Sequence, residues 1–299
     1  MAQKKHSILL VIGILCAVVL VLAVVMSVIF SIIGPSKGLS FGSRIGVISI
    51  EGMITNPEPV LKQLVEFRKD VRIKAIVLRI NSPGGAVGPS QEIYREVRKT
   101  IETKKVIASL GTLAASGGYY IAAAANKIVA NPGTISGSIG VIMEFVQIED
   151  LLGKLGIGLE VVKTGEFKDI GSPHRKMSSR DREIIEAVTQ DVRNQFVEAV
   201  AKGRNLPVEK VQEVADGRIL TGARCKELGL VDRLGNFMDA VDTAKELVGI
   251  EGEVTLIRAK KAKSFLWELL FEEGAESLYH AIRNLLETRV EYRWDGAVK

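Results

Sequence analysis

Cysteine and histidine are scarce in this chain, with two and three copies in 299 residues. His6, His174 and His280 are scattered, and neither residue type falls at zinc-ligand spacing, so no metal site is expected. Cys16 and Cys225 lie in different regions, one in an apolar run and one in the main body, which excludes a disulfide framework and leaves the redox compartment unread. Neither G-x-G-x-x-G nor G-x-x-x-x-G-K-[ST] occurs, so dinucleotide and nucleoside-triphosphate binding are not expected and no cofactor is implied. Strong charge is missing too. The net charge is +5, and without residues 1 to 33 it falls to +3, from 38 basic against 35 acidic side chains. That balance is too mild and too mixed to argue for nucleic acid. With 25% charged and 47% apolar residues, the chain has the make-up of a packed protein, which excludes disorder as the whole answer.

A mean hydropathy of +0.20 is high, and one segment is responsible. Residues 8 to 33 run for 26 positions without a charge. A hydrocarbon core of about 30 Å needs roughly 20 helical residues, so this run is long enough to span with tilt. A cleaved secretory signal would have an apolar core of about 7 to 15 residues and a small-x-small cleavage site, and neither fits here. The expectation is an uncleaved, single-pass signal anchor. Lys4 and Lys5 in the stub of residues 1 to 7 favour leaving it in the cytoplasm, which puts the large domain on the extracytoplasmic face. Residues 34 to 43, rich in glycine and serine, read as a short linker.

From Arg44 onward, short β-branched runs alternate with helical patterns, the signature of an α/β fold with a largely parallel sheet. Strands are expected at residues 45 to 50, 75 to 80, 106 to 110, 127 to 130 and 159 to 162. Helices are expected at 57 to 69 and 89 to 103, each with an early proline. The clearest helix starts at Ser178 or Ser179 and carries Ile184, Val188, Val192, Phe196 and Val200 at four-residue spacing, read as a core face. Asp181, three residues after Ser178, completes a start resembling a capping box. A helix at 208 to 215, a strand at 218 to 220 and a helix from Ala223 follow. Residues 259 to 299 combine a basic cluster with an amphipathic pattern and read as a helical surface or partner-binding tail.

Three glycine-bearing turns break local propensity, which is where function is expected. Asn81-Ser82-Pro83-Gly84-Gly85 follows a strand and precedes a helix, so its backbone N–H groups could point into the crevice at the strand's carboxyl end and suit an oxyanion. Ser116-Gly117-Gly118 also follows a strand and opens a helix. Two glycines in a first turn cost about 1 kcal/mol each, so helix formation did not select them. A serine there, with the Gly117 N–H beside it, has the arrangement of a nucleophile next to its oxyanion donor, although an ordinary N-cap serine fits as well. A serine nucleophile needs a base. His6 precedes the apolar run and His280 lies in the tail, leaving His174 as the one histidine in the domain. Lys168, in Thr164-Gly165-Glu166-Phe167-Lys168-Asp169-Ile170-Gly171-Ser172-Pro173, is the other option. A lysine serves as base only when apolar surroundings lower its pKa from about 10.4 to about 7 or 8.

Together NSPGG, AASGGYY, SGSIGV, TGEFKDIGSP and GRILTGARCKELGLVDRLG resemble, in order and spacing, the signal peptide peptidase A family. These are membrane-anchored Ser-Lys proteases on the ClpP/crotonase-like fold. The likeness covers residues 44 to about 257 and is to a short form with one catalytic domain. It implies Ser116 as the acylating nucleophile and Lys168 as the general base, with Ser138 orienting the lysine. It also implies an oxyanion hole from the Gly117 N–H and a donor from either Gly84 or Gly85. Cys225 reads as packing. The resemblance further implies a homo-oligomer whose serine and lysine meet across neighbouring protomers, apolar peptide substrates such as signal-peptide remnants, a bacterial cytoplasmic membrane location, and no need for ATP. Two rivals remain: a crotonase-type acyl-CoA enzyme, which explains the glycine turns but gives the serine, the lysine and the anchor no purpose, and an inactive membrane scaffold that binds peptides without cutting them.

Overall fold

The computed structural model describes residues 17–25, 43–258 and 290–293. The chain divides into two units, Met1–Gly42 and Ser43–Lys299. In the first, residues 17–25 are helical with exposed side chains, and the remainder of the apolar run lies outside the described residues. Among the described residues no helix is long and apolar enough to cross a membrane.

The second unit is built on parallel strands β1 (Arg44–Glu51), β2 (Ile73–Ser82), β4 (Lys105–Ala114), β5 (Lys127–Ala130), β9 (Arg233–Leu234) and β10 (Thr255–Arg258), ordered β10-β1-β2-β4-β5-β9. Strands of a parallel sheet are covered on both faces, so β2 is apolar in succession and its side chains point alternately to two cores. Ala75 and Val77 of β2 join Ile45, Ile107 and Val129 on one face, against Ala240, Val241 and Ala244 of α8 (Phe237–Val248). Ile76, Leu78 and Ile80 point to the larger core on the other face, shared by α1 (Glu58–Lys69), α2 (Val87–Thr100), α3 (Gly117–Ala122) and α5 (Ser179–Arg204). Two further strands, β6 (Ile135–Gly137) and β8 (Ile219–Thr221), extend β4 locally. Beyond α4 (Glu149–Lys154), α6 (Val208–Gln212) and α7 (Gly222–Glu227), a separate three-stranded sheet joins β3 (Gly84–Ala86), β11 (Val290–Arg293) and β7 (Ile142–Met143).

The expected strands at 45 to 50, 75 to 80, 106 to 110 and 127 to 130 fall within β1, β2, β4 and β5. The capping box at the start of α5 is present: the Asp181 amide donates to Ser178 Oγ at 3.1 Å and the Ser178 amide to Asp181 Oδ2 at 3.0 Å. Three expectations are corrected. Residues 159 to 162 form no strand, because no neighbouring backbone pairs with them and their side chains lie open, Val162 at 94% exposure. The α5 stripe is a core face only in its second half: Phe196 and Val200 are buried, while Ile184 and Val188 are 37% and 42% exposed. Residues 290–293 form a strand where the tail was read as helical, and the rest of the tail lies outside the described residues.

Helix α3 begins at the turn that carries Ser116, and α5 packs against its end through Gly203. A Cβ on Gly203 would stand 2.0 Å from the Ala123 carbonyl oxygen, a contact that backbone cannot absorb. Gly203→Ala gains up to about 1 kcal/mol of helix propensity, but overpacking costs about 1–3 kcal/mol. We expect a net loss of stability of order 1 kcal/mol, read as a lower urea midpoint. An unchanged or higher midpoint would mean that α5 does not approach α3 this closely.

Candidate active site

Parallel strands end at a common edge, and the crevice outside their carboxyl ends is the usual place for chemistry. Here β2 and β4 end side by side, with Ser82 paired to Ala114. The chain then turns sharply on both strands. After β4, the Ala115 amide donates to the Ser82 carbonyl at 3.1 Å, the Ser116 amide to the Gly137 carbonyl at 2.9 Å, and the Ser116 carbonyl accepts from the Tyr120 amide at 2.8 Å. Both backbone groups of Ser116 are thus committed. They hold the residue at φ 53°, ψ −119°, a conformation that L-residues rarely adopt and that costs on the order of 1–3 kcal/mol. Its side chain is 1% exposed, and the hydroxyl has no hydrogen-bond partner among the described residues. A buried, unpaired hydroxyl on a strained turn at a helix start is poorly explained by packing, and an N-cap role is excluded because Ser116 makes no side-chain cap bond.

The surrounding glycines are required by close approach. A Cβ on Gly117 would lie 2.7 Å from Ser90 Oγ and 3.3 Å from both Gly84 Cα and the Gly85 amide nitrogen. Gly84 at φ +105° and Gly85 at φ +158° carry the facing turn. The Gly84 amide is spent on Ser82 Oγ at 3.1 Å, and that hydroxyl donates to the Gly52 carbonyl at 2.6 Å. The Gly85 amide instead lies next to Gly117. Gly117 opens α3, so its N–H has no acceptor within the helix. Ser138 sits beside this constellation through its neighbour Gly137. It too has positive φ, 52°, and is buried, and its amide donates to the Arg218 carbonyl at 2.8 Å.

The structure therefore brings Ser116, Ser138, Gly84, Gly85 and Gly117 together, but within one chain it does not bond Lys168 to Ser116. Lys168 is exposed, on a turned segment whose form is fixed by charge. Arg175 bridges the carboxylates of Asp169 and Asp181, and Lys163 Nζ reaches Asp169 at 2.7 Å. Hydrogen bonds from Arg175 and Lys163 hold the Asp169 carboxyl well below the usual carboxylate range. Those from Arg175 and the Ser178 amide do the same for Asp181. His174 is exposed and makes no side-chain bond to Ser116. Cys225 is fully buried, and burial pushes its thiol up to about 11, as a packing residue requires. Among the described residues no cluster of His, Cys, Asp or Glu could hold a metal ion.

Sequence reasoning missed Ser82, whose hydroxyl ties the Gly84 turn to Gly52, and Ser90, which packs on Gly117 and donates to the Ala86 carbonyl at 2.9 Å. Serine one residue before a Pro-Gly-Gly turn was the available signal for the first. Nothing in the sequence marked the second.

A parallel α/β sheet with a buried, strained serine at the carboxyl edge of its strands is consistent with a Clp-like serine peptidase domain, and a Clp protease model matches residues 44–133. The model of peptidase family S49 matches residues 98–251, about half the chain, and the chain belongs to that family. A protein of Synechocystis sp., provisionally named a protease, is 46% identical over 210 residues, 70% of this chain and 76% of its own length. The chloroplastic serine protease SPPA of Arabidopsis thaliana is 35% identical over 84% of this chain and 39% of its own. A protein of Enterococcus faecium provisionally named signal peptide peptidase SppA is 40% identical over 64% of this chain and 56% of its own. The chain thus spans about half or less of two of these three relatives.

Because the Ser116 hydroxyl is buried without a partner, Ser116→Ala removes an unsatisfied polar group and breaks no bond. Leaving such a group buried costs about 1–3 kcal/mol, so the variant should melt at the same or a higher temperature while losing all fluorophosphonate labelling. A clear fall in melting temperature would show that the hydroxyl holds the fold.

Proposed function

We propose that the chain is a membrane-tethered, ATP-independent endopeptidase in which Ser116 is the nucleophile and Lys168 of a neighbouring copy is the general base. The observation that carries this reading is the unpartnered Ser116 hydroxyl, buried beside Gly117. The lysine amine takes the Ser116 proton as Oγ attacks a peptide carbonyl, and the resulting oxyanion is held by the N–H groups of Gly117 and Gly85. Gly85 is the better choice over Gly84 because the Gly84 amide already donates to Ser82. Collapse of the intermediate breaks the C–N bond, with the lysine proton passing to the leaving amine. Water activated by the same amine then hydrolyses the acyl-serine. Ser138, beside Ser116, orients the incoming amine.

Supply of the lysine by a second copy is supported by its exposure and by the exposed apolar side chains that precede it in the chain. Leu151, Leu155, Ile157, Leu159, Val161 and Val162 are all half exposed or more, an unusual load of apolar side chains for one solvated segment. The uncharged run of residues 8 to 33 supports an uncleaved anchor in a bacterial cytoplasmic membrane, with the catalytic unit outside the cytoplasm. A tether of that kind keeps the site near apolar, bilayer-resident peptides such as signal-peptide remnants.

Two experiments test this. Ser116→Ala and Lys168→Ala chains, each inactive alone, should regain activity when co-assembled, and absence of any recovery would overturn the shared site. The rate should also rise with pH toward the alkaline side of neutral, since the amine must be unprotonated. The carboxylates that hold the lysine segment do not confuse this test. Their folded-state pKa values are depressed, so their stabilisation is complete above about pH 3.9 and is lost only as pH falls through lower values. Activity lost between pH 8 and 6 therefore does not come from those carboxylates, and an optimum near pH 5 would rule lysine out.

A further inference from the structure

Lys168 sits in a run of turns, residues 164 to 173, with neither helix nor strand to hold it. The backbone bonds there are local: the Lys168 amide donates to the Gly165 carbonyl at 3.2 Å, the Ile170 amide to the Phe167 carbonyl at 3.1 Å and the Ser172 amide to the Asp169 carbonyl at 3.0 Å. Bonds of that kind set the shape of a turn and leave its position on the protein open. Position has to come from contact with something rigid. The Arg175 guanidinium makes that contact with two arms. One reaches Oδ1 of Asp169, the residue after Lys168, at 2.9 Å, and the other reaches Oδ2 of Asp181, in the first turn of α5, at 2.5 Å. Asp181 is buried and is held in turn by the Ser178 amide, so the far end of the clamp is part of a helix start. Other ties are weaker. Lys163 shares Asp169 at 2.7 Å but belongs to the same open segment, and Arg180 meets Glu166 at 2.8 Å where both side chains are more than half exposed and such pairs contribute little. The reference that Arg175 reaches is a long one. Phe196 lies about 22 Å along the α5 axis from Asp181, and it meets Tyr120 of α3 edge-on at 5.0 Å, with Gly203 against Ala123 further along. One helix thus carries the lysine turn at its start and packs, in its second half, against the helix that opens at Ser116.

Resting on the reading of Lys168 as the base, we infer that Arg175 is a positioning residue for it: the two-armed guanidinium docks the lysine turn on the start of α5 and so fixes where the amine stands on the protomer that carries it. The choice of partners separates this from ordinary surface pairing. The capping box of α5 is complete without Arg175, because Ser178 and Asp181 exchange both of its bonds. The guanidinium also leaves its Nε buried without an acceptor, which a side chain placed for stability alone has no reason to do. What the arrangement does secure is the residue next to Lys168. Only a planar fork can serve two carboxylates in this way, since an ammonium is a point charge. A displacement of about 1 Å at a reacting group can cost on the order of 100-fold in rate, so a loosened lysine turn is read in kcat.

The test is cleavage of a quenched fluorescent peptide of leucine and alanine by the full chain in detergent, with kcat expressed per assembled chain from sedimentation velocity. Arg175→Lys keeps the charge and removes the fork. It should lower kcat at least ten-fold and leave KM within about two-fold, the pattern of a contact that acts on the transition state alone. Asp169→Asn cuts the same clamp from the other side, leaves the α5 start intact, and should give the same loss; it reads the clamp by itself should Arg175→Lys fail to assemble. The direction of the effect excludes a charge explanation, because removing a carboxylate near an ammonium eases its deprotonation and would raise the rate near neutral pH. The double variant should be within about two-fold of the slower single one, since both changes break one clamp. A kcat within two-fold of the unaltered chain in either assembled single variant, a faster Asp169→Asn, or losses that multiply in the double variant overturns the inference. Lys168→Ala keeps the two claims apart. Activity retained in it removes the lysine reading itself, whereas an inactive Lys168→Ala beside a fully active Arg175→Lys removes only the role of Arg175.

Discussion

Everything at the active edge depends on Ser116 being held at φ 53°. The backbone there is forced into a region that costs free energy. It stays there because its amide is tied to Gly137, its carbonyl to Tyr120 and the preceding amide to Ser82. Those three bonds come from three different segments, so the turn is set by the whole edge of the sheet. The consequence is chemical. With its backbone committed and its surroundings reduced to glycine and small hydroxyls, the hydroxyl is left without a partner among the described residues, and it stands beside the Gly117 amide, which has no acceptor within its helix.

The same constraint explains which parts of the site were legible in the sequence. A turn that needs close approach needs glycine, so NSPGG and SGG stand out as breaks in otherwise regular strand and helix patterns, and the serine between them is found by position. Ser138 is a second residue at positive φ, and its place next to Gly137, whose carbonyl anchors Ser116, was not readable from spacing, although the family resemblance pointed to it. The choice between Gly84 and Gly85 was unreadable too, because it turns on which amide the Ser82 hydroxyl takes. Regular elements were legible for the opposite reason. Strands buried on both faces and helices with proline starts or capping residues carry their signals locally, as β2, α1 and α5 do. Period and propensity failed where the outcome depends on a partner: residues 159 to 162 have strand composition without a strand to pair with, and Ile184 and Val188 continue a core stripe past the point where α5 has a core beneath it.

One of those failures, residues 159 to 162, lies in the same segment as Lys168. The segment from about residue 146 to 176 exposes apolar side chains at Val146, Leu151, Leu155 and Ile157 while spending its charged groups on an internal network of Lys163, Asp169 and Arg175. That is the reverse of an ordinary surface loop, which hides its apolar groups and displays its charges. A segment built this way keeps its own shape through ion pairs and leaves its apolar groups open.

In the proposed enzyme this division couples assembly to chemistry. An amine in open water remains an ammonium and cannot take a serine proton near neutral pH; it becomes a base where desolvation disfavours the charged form. Within a single chain Ser116 is dry and Lys168 is wet, so one half of the dyad is prepared and the other is not. Burying the apolar side chains around Lys168 against a second copy would supply the missing desolvation with the same contact that brings the amine near a serine. Under that proposal the drive for association and the activation of the base would be one event, and a lone protomer would have no means of cutting the proteins around it. Under the same proposal the free energy needed to neutralise the amine would come from apolar burial along the segment that carries it, so the apolar side chains there would bear on catalysis as well as on assembly.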